Sequence, residues 1–143
     1  MSDVATETRT VTVEREFPFP PERLWRALTQ PHLMAEWLMK NDFQPTVGHR
    51  FNLSGDWGGV LDCEVLTVEP LKTLAYSWDF PNDNPAYALK STVTFTLTPT
   101  ATGTHLRMEQ AGFRPDQRQA YGGAISGWTQ FLAKLEEVAG REG

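Results

Sequence analysis

Residues 121–135 have the sequence YGGAISGWTQFLAKL, in which apolar side chains recur every three or four positions. That spacing places them along one face of an α-helix, and we predict a helix from Asp116 to Ala139, about 36 Å long. Three glycines, Gly122, Gly123 and Gly127, interrupt the pattern, and each costs a helix about 1 kcal/mol relative to alanine. They indicate either close packing against another element or room left beside the helix. The apolar positions are Tyr121, Ile125, Trp128, Leu132 and Leu135.

The chain before this helix has the alternating apolar and polar pattern of β-strands, interrupted by proline-rich and glycine-rich turns. Pro20 and Pro21 open a short helix, since proline suits the first turn of a helix. Pro31 ends that helix, and a second short helix follows it. We predict six strands, at Thr10–Phe17, Arg50–Ser54, Val60–Val68, Thr73–Phe80, Leu89–Thr98 and Thr104–Ala111.

This order of elements predicts the fold class. One strand, two short helices, five strands and one long helix form mostly antiparallel hairpins, whose sheet must bury one face. The long helix is the only predicted element that can cover that face. The class is therefore α+β, with an antiparallel sheet wrapped around a C-terminal helix. A length of 143 residues suits one domain, so we assign residues 1–143 to a single domain, with residues 1–8 as a flexible N-terminal segment.

The composition excludes several function classes. A net charge of −5 argues against a nucleic-acid or membrane-surface binder, because both need clustered basic charge. Cys63 is the one cysteine, so an internal disulfide and a cysteine-based metal site are excluded. The three histidines have no metal-ligand spacing, and we predict no metal and no other cofactor. The chain shows no apolar signal core and no run of 18 apolar residues, which predicts a cytoplasmic location.

Several motifs resemble those of one known superfamily. Residues 17–29, FPFPPERLWRALT, resemble its opening, where a proline precedes an acidic residue and then an apolar residue and tryptophan. Residues 65–74, VLTVEPLKTL, followed by Trp78, resemble a strand-turn-strand stretch of that superfamily. The pairs Gly112-Phe113 and Gly127-Trp128 resemble its C-terminal part. These motifs cover nearly the whole chain and identify it as similar to the START-like (SRPBCC) superfamily.

Within the superfamily, the chain most resembles the stand-alone bacterial form of the activator of heat-shock protein 90 ATPase family. The resemblance implies a helix-grip fold, also called birch-pollen-allergen-like, with a curved antiparallel sheet around the C-terminal helix and two short helices after the first strand. Relatives include lipid carriers, polyketide cyclases and aromatases, hydroxylase domains, hormone receptors and co-chaperone domains. The fold therefore leaves the function open.

The aromatic side chains of the inner faces are candidate ligand contacts. Alternation directs Trp78, Phe95 and their apolar neighbours toward the helix, and Trp128 back toward the sheet. The same residues suit a filled core, so both alternatives stay open. Met34 and Trp37, with Met39 and Phe43, suit either an adaptable cavity entrance or a staple between the small helices and the sheet. The cavity candidates are Met34, Trp37, Trp78, Phe80, Phe95, Leu106, Met108, Tyr121, Ile125 and Trp128.

Acid–base chemistry requires a positioned ionisable group. Alternation places Asp62, Glu64, His105 and Glu109 on the outer face of the sheet, and no catalytic residue is predicted. We expect Cys63 to be a buried apolar side chain rather than a nucleophile. The three tyrosines, Tyr76, Tyr87 and Tyr121, are candidate hydroxyl donors to a ligand, with Tyr121 favoured by its place on the helix near the glycines.

The leading hypothesis is a binder of a small, largely apolar molecule held between the sheet and the C-terminal helix. One alternative is an enzyme of the cyclase, aromatase or hydrolase type that uses the same cavity. Another is a chaperone-interaction or stress-response module. We expect no nucleic-acid or membrane partner, and a homodimer through an exposed strand or the N-terminal segment remains an open alternative.

Overall fold

The computed structural model describes residues 8–56, 58–84 and 88–141. The predicted flexible segment 1–8 lies outside these residues except for Thr8, and so does Tyr87. Ten elements follow in chain order: β1 (Arg9–Phe17), α1 (Pro21–Thr29), α2 (Pro31–Trp37), β2 (Lys40–Asn41), β3 (Arg50–Ser54), β4 (Val60–Glu69), β5 (Thr73–Phe80), β6 (Leu89–Pro99), β7 (Thr104–Phe113) and α3 (Arg118–Arg141).

The described strands form one curved sheet in the order β1-β7-β6-β5-β4-β3-β2, and every neighbouring pair is antiparallel. The register of β4 against β5 shifts between Val65 and Thr67, and such an irregularity bends a strand and increases its twist. The sheet curves around α3, and the two short helices follow β1. The α+β class and the helix-grip architecture are confirmed.

Proline placement explains the two short helices. Pro20 precedes α1 in an extended conformation and Pro21 is its first residue, where the missing N–H of proline leaves no bond unmade. Gln30 is extended as well, and it both ends α1 and precedes Pro31 at the start of α2. The amide of Met34 then donates to the Gln30 carbonyl at 2.9 Å. The predicted break at Pro31 is therefore confirmed.

Several boundaries differ from the prediction by one or two residues, and one strand was not predicted. The short strand β2 was not predicted, because two residues are too few for a periodic signal; it pairs Lys40 with Ser54 and Asn41 with Leu53. The long helix begins at Arg118 rather than Asp116. A turn delays it, in which the Gln117 side chain accepts from the Arg114 amide at 3.0 Å while the Gln117 amide donates to the Arg114 carbonyl at 3.0 Å.

One apolar cluster joins the concave face of the sheet to the helices. The predicted alternation of β6 is confirmed, since Val93, Phe95 and Leu97 are all buried. Trp128 of α3 meets Phe95 with ring centroids 5.7 Å apart in an edge-on arrangement, which favours the ring quadrupoles. Helix α3 also packs on β1, α1 and α2. No helix in the described ranges has the length and apolarity that a membrane crossing requires.

The row of buried side chains on α3 is shorter than predicted. Its buried residues begin at Trp128, near the middle of the helix, and continue through Leu132 and Leu135 toward the C-terminus. Ile125 is 42% exposed, so its predicted place on the sheet-facing side is corrected. Tyr121 is only half-buried. The N-terminal half of α3 is therefore less closely packed than the C-terminal half.

Candidate functional site

The three glycines of α3 lie beside open space. A Cβ atom placed on Gly122, Gly123 or Gly127 would meet no atom within 4 Å outside the local helix backbone. Of the two explanations that the sequence left open, close packing against the sheet is therefore wrong for these positions. Room beside the helix is the explanation that the structure supports.

A cavity of about 200 Å³ occupies part of this room, and we call it the inner cavity. Four of its ten lining residues are aromatic. Trp78 and Trp128 lie 5.1 Å apart between ring centroids, and Phe131 packs edge-on against Trp128 at 5.4 Å. The residues around it are Trp78, Leu89, Gln110, Phe113, Ala120, Gly123, Ala124, Gly127, Trp128 and Phe131.

Gln110 is the main polar group of the inner cavity, and it is only 2% exposed. Its Oε1 accepts from Trp128 Nε1 at 2.8 Å, and its Nε2 donates to Ser91 Oγ at 3.0 Å. The Ser91 hydroxyl donates in turn to the Trp78 carbonyl at 2.6 Å. An amide has two donors and two acceptor lone pairs, so one N–H and one lone pair of Gln110 remain for another partner.

Gln110 was not among the predicted site residues, although a sequence signal for it was present. Gln110 lies two and four residues after Met108 and Leu106 on β7, so it occupies the same face of the strand. Alternation had already predicted that this face points toward the helix. A polar residue on an inward-facing position must be hydrogen-bonded, because burying an amide without a partner costs about 1–3 kcal/mol. The Trp128 indole N–H and the Ser91 hydroxyl meet that requirement here.

A second, larger space of about 430 Å³ lies farther along α3, and we call it the outer cavity. It is bordered by α2, by the end of β3 and by α3. Glu36 at its edge forms an ion pair with Arg141 at 3.0 Å. The outer and inner cavities share Gly127 and Phe131. The residues around the outer cavity are Ala35, Glu36, Trp37, Leu38, Met39, Lys40, Ser54, Asp56, Gly127, Gln130, Phe131 and Lys134.

The predicted cavity residues fall into three groups. Trp78 and Trp128 border the inner cavity, and Trp37 borders the outer one. Tyr121 packs on Phe113 at 5.8 Å beside the inner cavity, with its hydroxyl 3.5 Å from the Thr10 carbonyl. The remaining candidates border neither cavity: Met34, Phe95, Leu106 and Met108 lie in the closed core, Phe80 is half-buried, and Ile125 is exposed.

The sequence left two roles open for Met34, Trp37, Met39 and Phe43, a cavity entrance or a staple between the small helices and the sheet. Trp37 Nε1 donates to the Ala27 carbonyl at 2.7 Å, and the ring meets Phe95 edge-on at 6.2 Å. These contacts tie α2 to α1 and to the sheet. Met39 is half-buried and borders the outer cavity, whereas Phe43 is buried. Trp37 therefore acts as a staple that also borders the cavity.

Tyr76 has a buried hydroxyl that finds no hydrogen-bond partner among the described residues. The ring is wholly buried among Phe43, Phe51 and Phe95, at centroid distances between 5.3 and 6.0 Å. Burial, and secondarily the nearby Cys63 thiol, raises the pKa of Tyr76 well above its ordinary value. The hydroxyl is therefore a neutral group held inside the core.

The ionisable residues of the strands lie on the outer face, as alternation predicts. Asp62 is exposed, and Glu64, His105 and Glu109 are half-exposed. Cys63 points inward and is 5% exposed, and desolvation, followed by the charges of nearby carboxylates, raises its pKa to about 12. A thiol held in that state is not a nucleophile at neutral pH. Within the described ranges, no three metal-binding side chains form a cluster.

Comparison with known proteins agrees with this architecture. The family model described as activator of Hsp90 ATPase homolog 1-like protein matches residues 18–140. The crystal structure of protein MLL2253 from Mesorhizobium loti is 71% identical, with a TM-score of 0.91, and the match covers 93% of this chain and 98% of that one. Among curated proteins, none matches the chain.

More distant structures share the fold. DynU16, described as a protein in the dynemicin biosynthetic locus, is 26% identical with a TM-score of 0.78, and the match covers 90% of this chain and 46% of that one. Protein NE0264 from Nitrosomonas europaea is 22% identical with a TM-score of 0.77, covering 94% of this chain and 96% of that one.

Proposed function

The chain belongs to the family of activator of Hsp90 ATPase homolog 1-like proteins, and from that premise we propose that it binds a small, largely apolar molecule in the inner cavity. The observation that carries the proposal is the open space at the α3 glycines beside a wall of aromatic rings. Gly123 and Gly127, which border the cavity, each cost the helix about 1 kcal/mol relative to alanine, so the space they leave lowers the stability of the helix. A bound molecule that fills the space would offset that cost.

The chemistry of the wall supports an apolar ligand. Trp78, Phe113, Trp128 and Phe131 present ring faces and edges, which attract another ring or an alkyl group. Gln110 offers one remaining donor and one remaining acceptor, enough to orient a single polar substituent. The described residues around the inner cavity contribute no carboxylate, imidazole or amine, which favours binding over acid–base chemistry there.

A pair of adjacent glycines provides the test. Gly122 and Gly123 are both exposed, and both have room for a side chain, but only Gly123 borders the inner cavity. We expect Gly123→Leu to fill the cavity and to weaken binding of single-ring compounds such as p-cresol and benzyl alcohol by about tenfold or more. Gly122→Leu, the matched control, should bind them as the wild type does.

Binding is measured by calorimetry and by the NMR signal of the Trp128 indole N–H, which lies at the cavity and donates to Gln110. Equal binding by the two leucine variants would place the site elsewhere. The absence of binding by the wild type across the compound panel would contradict the proposal. Urea unfolding of both variants confirms that the comparison is made on folded protein.

A second candidate is an enzyme that acts on the molecule it binds. The DynU16 likeness favours it, because that protein is described as part of a biosynthetic locus. The outer cavity supplies ionisable groups, Asp56 and Lys134 among them, next to the inner one. Mass spectrometry of a bound compound before and after long incubation decides between the two, since a binder returns the compound unchanged.

A further inference from the structure

We propose that the inner and outer cavities form one two-part site for an amphipathic acid, with an aromatic ring in the inner cavity and a carboxylate in the outer cavity. This inference rests on the proposed function and adds the chemical class of the ligand. Three observations support it: the inner and outer cavities share lining residues, the inner cavity is large enough for one ring, and two lysines border the outer cavity.

The two cavities follow a single face of α3. Ala120, Gly123 and Gly127 border the inner cavity, and Gly127, Phe131 and Lys134 border the outer one. These positions are three or four residues apart, so they form one stripe about 21 Å long. Gly127 and Phe131 belong to both cavities, and Gly127 contributes no side chain at the junction. The half-buried Phe131 ring is therefore the main side chain between the two spaces.

The inner cavity has the size of one aromatic ring. An apolar cavity of about 150 Å³ is known to hold benzene, and the inner cavity measures about 200 Å³. Trp78 and Trp128 flank it, and Phe131 lies between it and the outer cavity. A ring bound there would extend any chain it carries past Gly127, because that is where the two spaces meet.

The charges around the outer cavity favour an anion. Lys40 and Lys134 are both exposed on its border, and neither ammonium has an ion-pair partner within the described part of the chain. Glu36 is already paired with Arg141 at 3.0 Å. Asp56 is the other carboxylate of the border, so the cations outnumber the carboxylates that remain uncommitted. A carboxylate entering this space gains a charge partner, whereas an alcohol does not.

A series of phenyl-substituted acids and their alcohols tests the geometry. Phenylacetate, phenylbutyrate and phenylhexanoate carry the carboxylate progressively farther from the ring, and each has a matching alcohol. We expect acid and alcohol to bind alike for the shortest member. For a longer member that reaches the outer cavity, the acid should bind up to about fivefold more tightly, the upper range for an exposed charge pair. About 0.5 M salt should remove that preference.

Two lysine variants test whether Lys134 is the cation that makes the acid bind more tightly than its alcohol. Lys134→Gln should bring the binding of the longer acid down toward that of its alcohol, while the binding of the alcohol stays unchanged. Lys72→Gln makes the same charge change in the exposed turn between β4 and β5, which borders neither cavity, and should keep the acid preference.

The outcomes separate this inference from the proposed function. If acid and alcohol bind equally at every chain length, the two-part acid site is wrong while an apolar binding cavity stands. If Lys72→Gln lowers acid binding as much as Lys134→Gln does, the effect is one of net charge and the inference is again overturned. If neither the acids nor the alcohols bind, both the inference and the proposed function fail.

Discussion

His105 is held between two carboxylates on the outer face of the sheet. It lies opposite Glu16 across β1 and β7, with Nδ1 2.6 Å from Glu16 Oε1 and Nε2 2.8 Å from Glu14 Oε1. Ionised carboxylates only accept hydrogen bonds, so the two contacts are both satisfied only when the ring carries both protons. The hydrogen bonds to Glu14 and then to Glu16 raise the pKa of His105 above its ordinary value of 6.5.

The raised pKa predicts a pH dependence of stability at this residue. A group whose pKa is higher in the folded state stabilises that state fully below its unfolded pKa, and the stabilisation is lost as the pH rises through the folded pKa. The contribution of His105 to the free energy of unfolding should therefore be complete below about pH 6.5 and should decline as the pH rises through the raised pKa. Urea unfolding of wild type and His105→Gln between about pH 6 and pH 9 measures it as a difference that shrinks as the pH rises.

His32→Gln is the matched control, because His32 is exposed at the start of α2. That variant removes an imidazole away from Glu14 and Glu16, and the His105→Gln difference is compared with it at each pH. A His105→Gln difference that stays constant, or grows as the pH rises, would contradict the ion pairs with Glu14 and Glu16.

At the scale of elements, α3 combines a tightly packed half and a loose half. We expect Gly122→Ala to raise the free energy of unfolding by about 1 kcal/mol, because the added methyl group meets open space and alanine favours the helix. Gly112→Ala is the contrasting variant. Gly112 has a φ of +124°, and a Cβ atom there would collide with the Lys90 carbonyl, so that variant should be destabilised. Chemical denaturation measures both.

A loss of stability in Gly122→Ala would show that the N-terminal half of α3 packs against something at that position. In that case the open space assigned to Gly122 would be wrong. Unchanged stability in Gly112→Ala would contradict the close approach of β7 to β6 at that glycine.

At the scale of the whole molecule, the core joins every main element. The apolar cluster contains residues of β1, both short helices, the five longer strands that follow and α3. Elements that share one core unfold together, since loss of any of them exposes the others. We therefore predict one cooperative transition, with coincident urea midpoints from tryptophan fluorescence and far-ultraviolet circular dichroism. Separate midpoints for the two probes would contradict the assignment of residues 1–143 to a single domain.

Much of the architecture was predictable because its causes are local. Alternation correctly assigned Val93 to the inner face and Asp62 to the outer face, since successive side chains of a strand point to opposite sides. The prolines at 21 and 31 located both short helices for an equally local reason, the fixed φ of the residue itself. Strand β2 escaped prediction because its two residues are held by pairing with β3 and not by a pattern of their own.

The candidate site was predictable only in part. Trp78, Trp128 and Trp37 were expected at a cavity and border one. Phe95 carries the same sequence signal as Trp78 and lies in the closed core, while Ile125, on the predicted stripe, is exposed. An apolar side chain suits a core and a cavity wall equally, so its identity does not distinguish them.

The order of elements and the buried face of each longer strand follow from periodicity and from turn residues within short segments, and the motifs in residues 17–29 and 65–74 carry the family resemblance. Contacts between distant segments leave open space at the glycines of α3, join Gln110 to Trp128 and Ser91, and bring the two cavities together at Gly127 and Phe131. The distance between a helix and a sheet is set by contacts among segments far apart in the chain. The stretch YGGAISGWTQFLAKL therefore predicts a helix, and its neighbours decide which part of that helix stands away from the sheet.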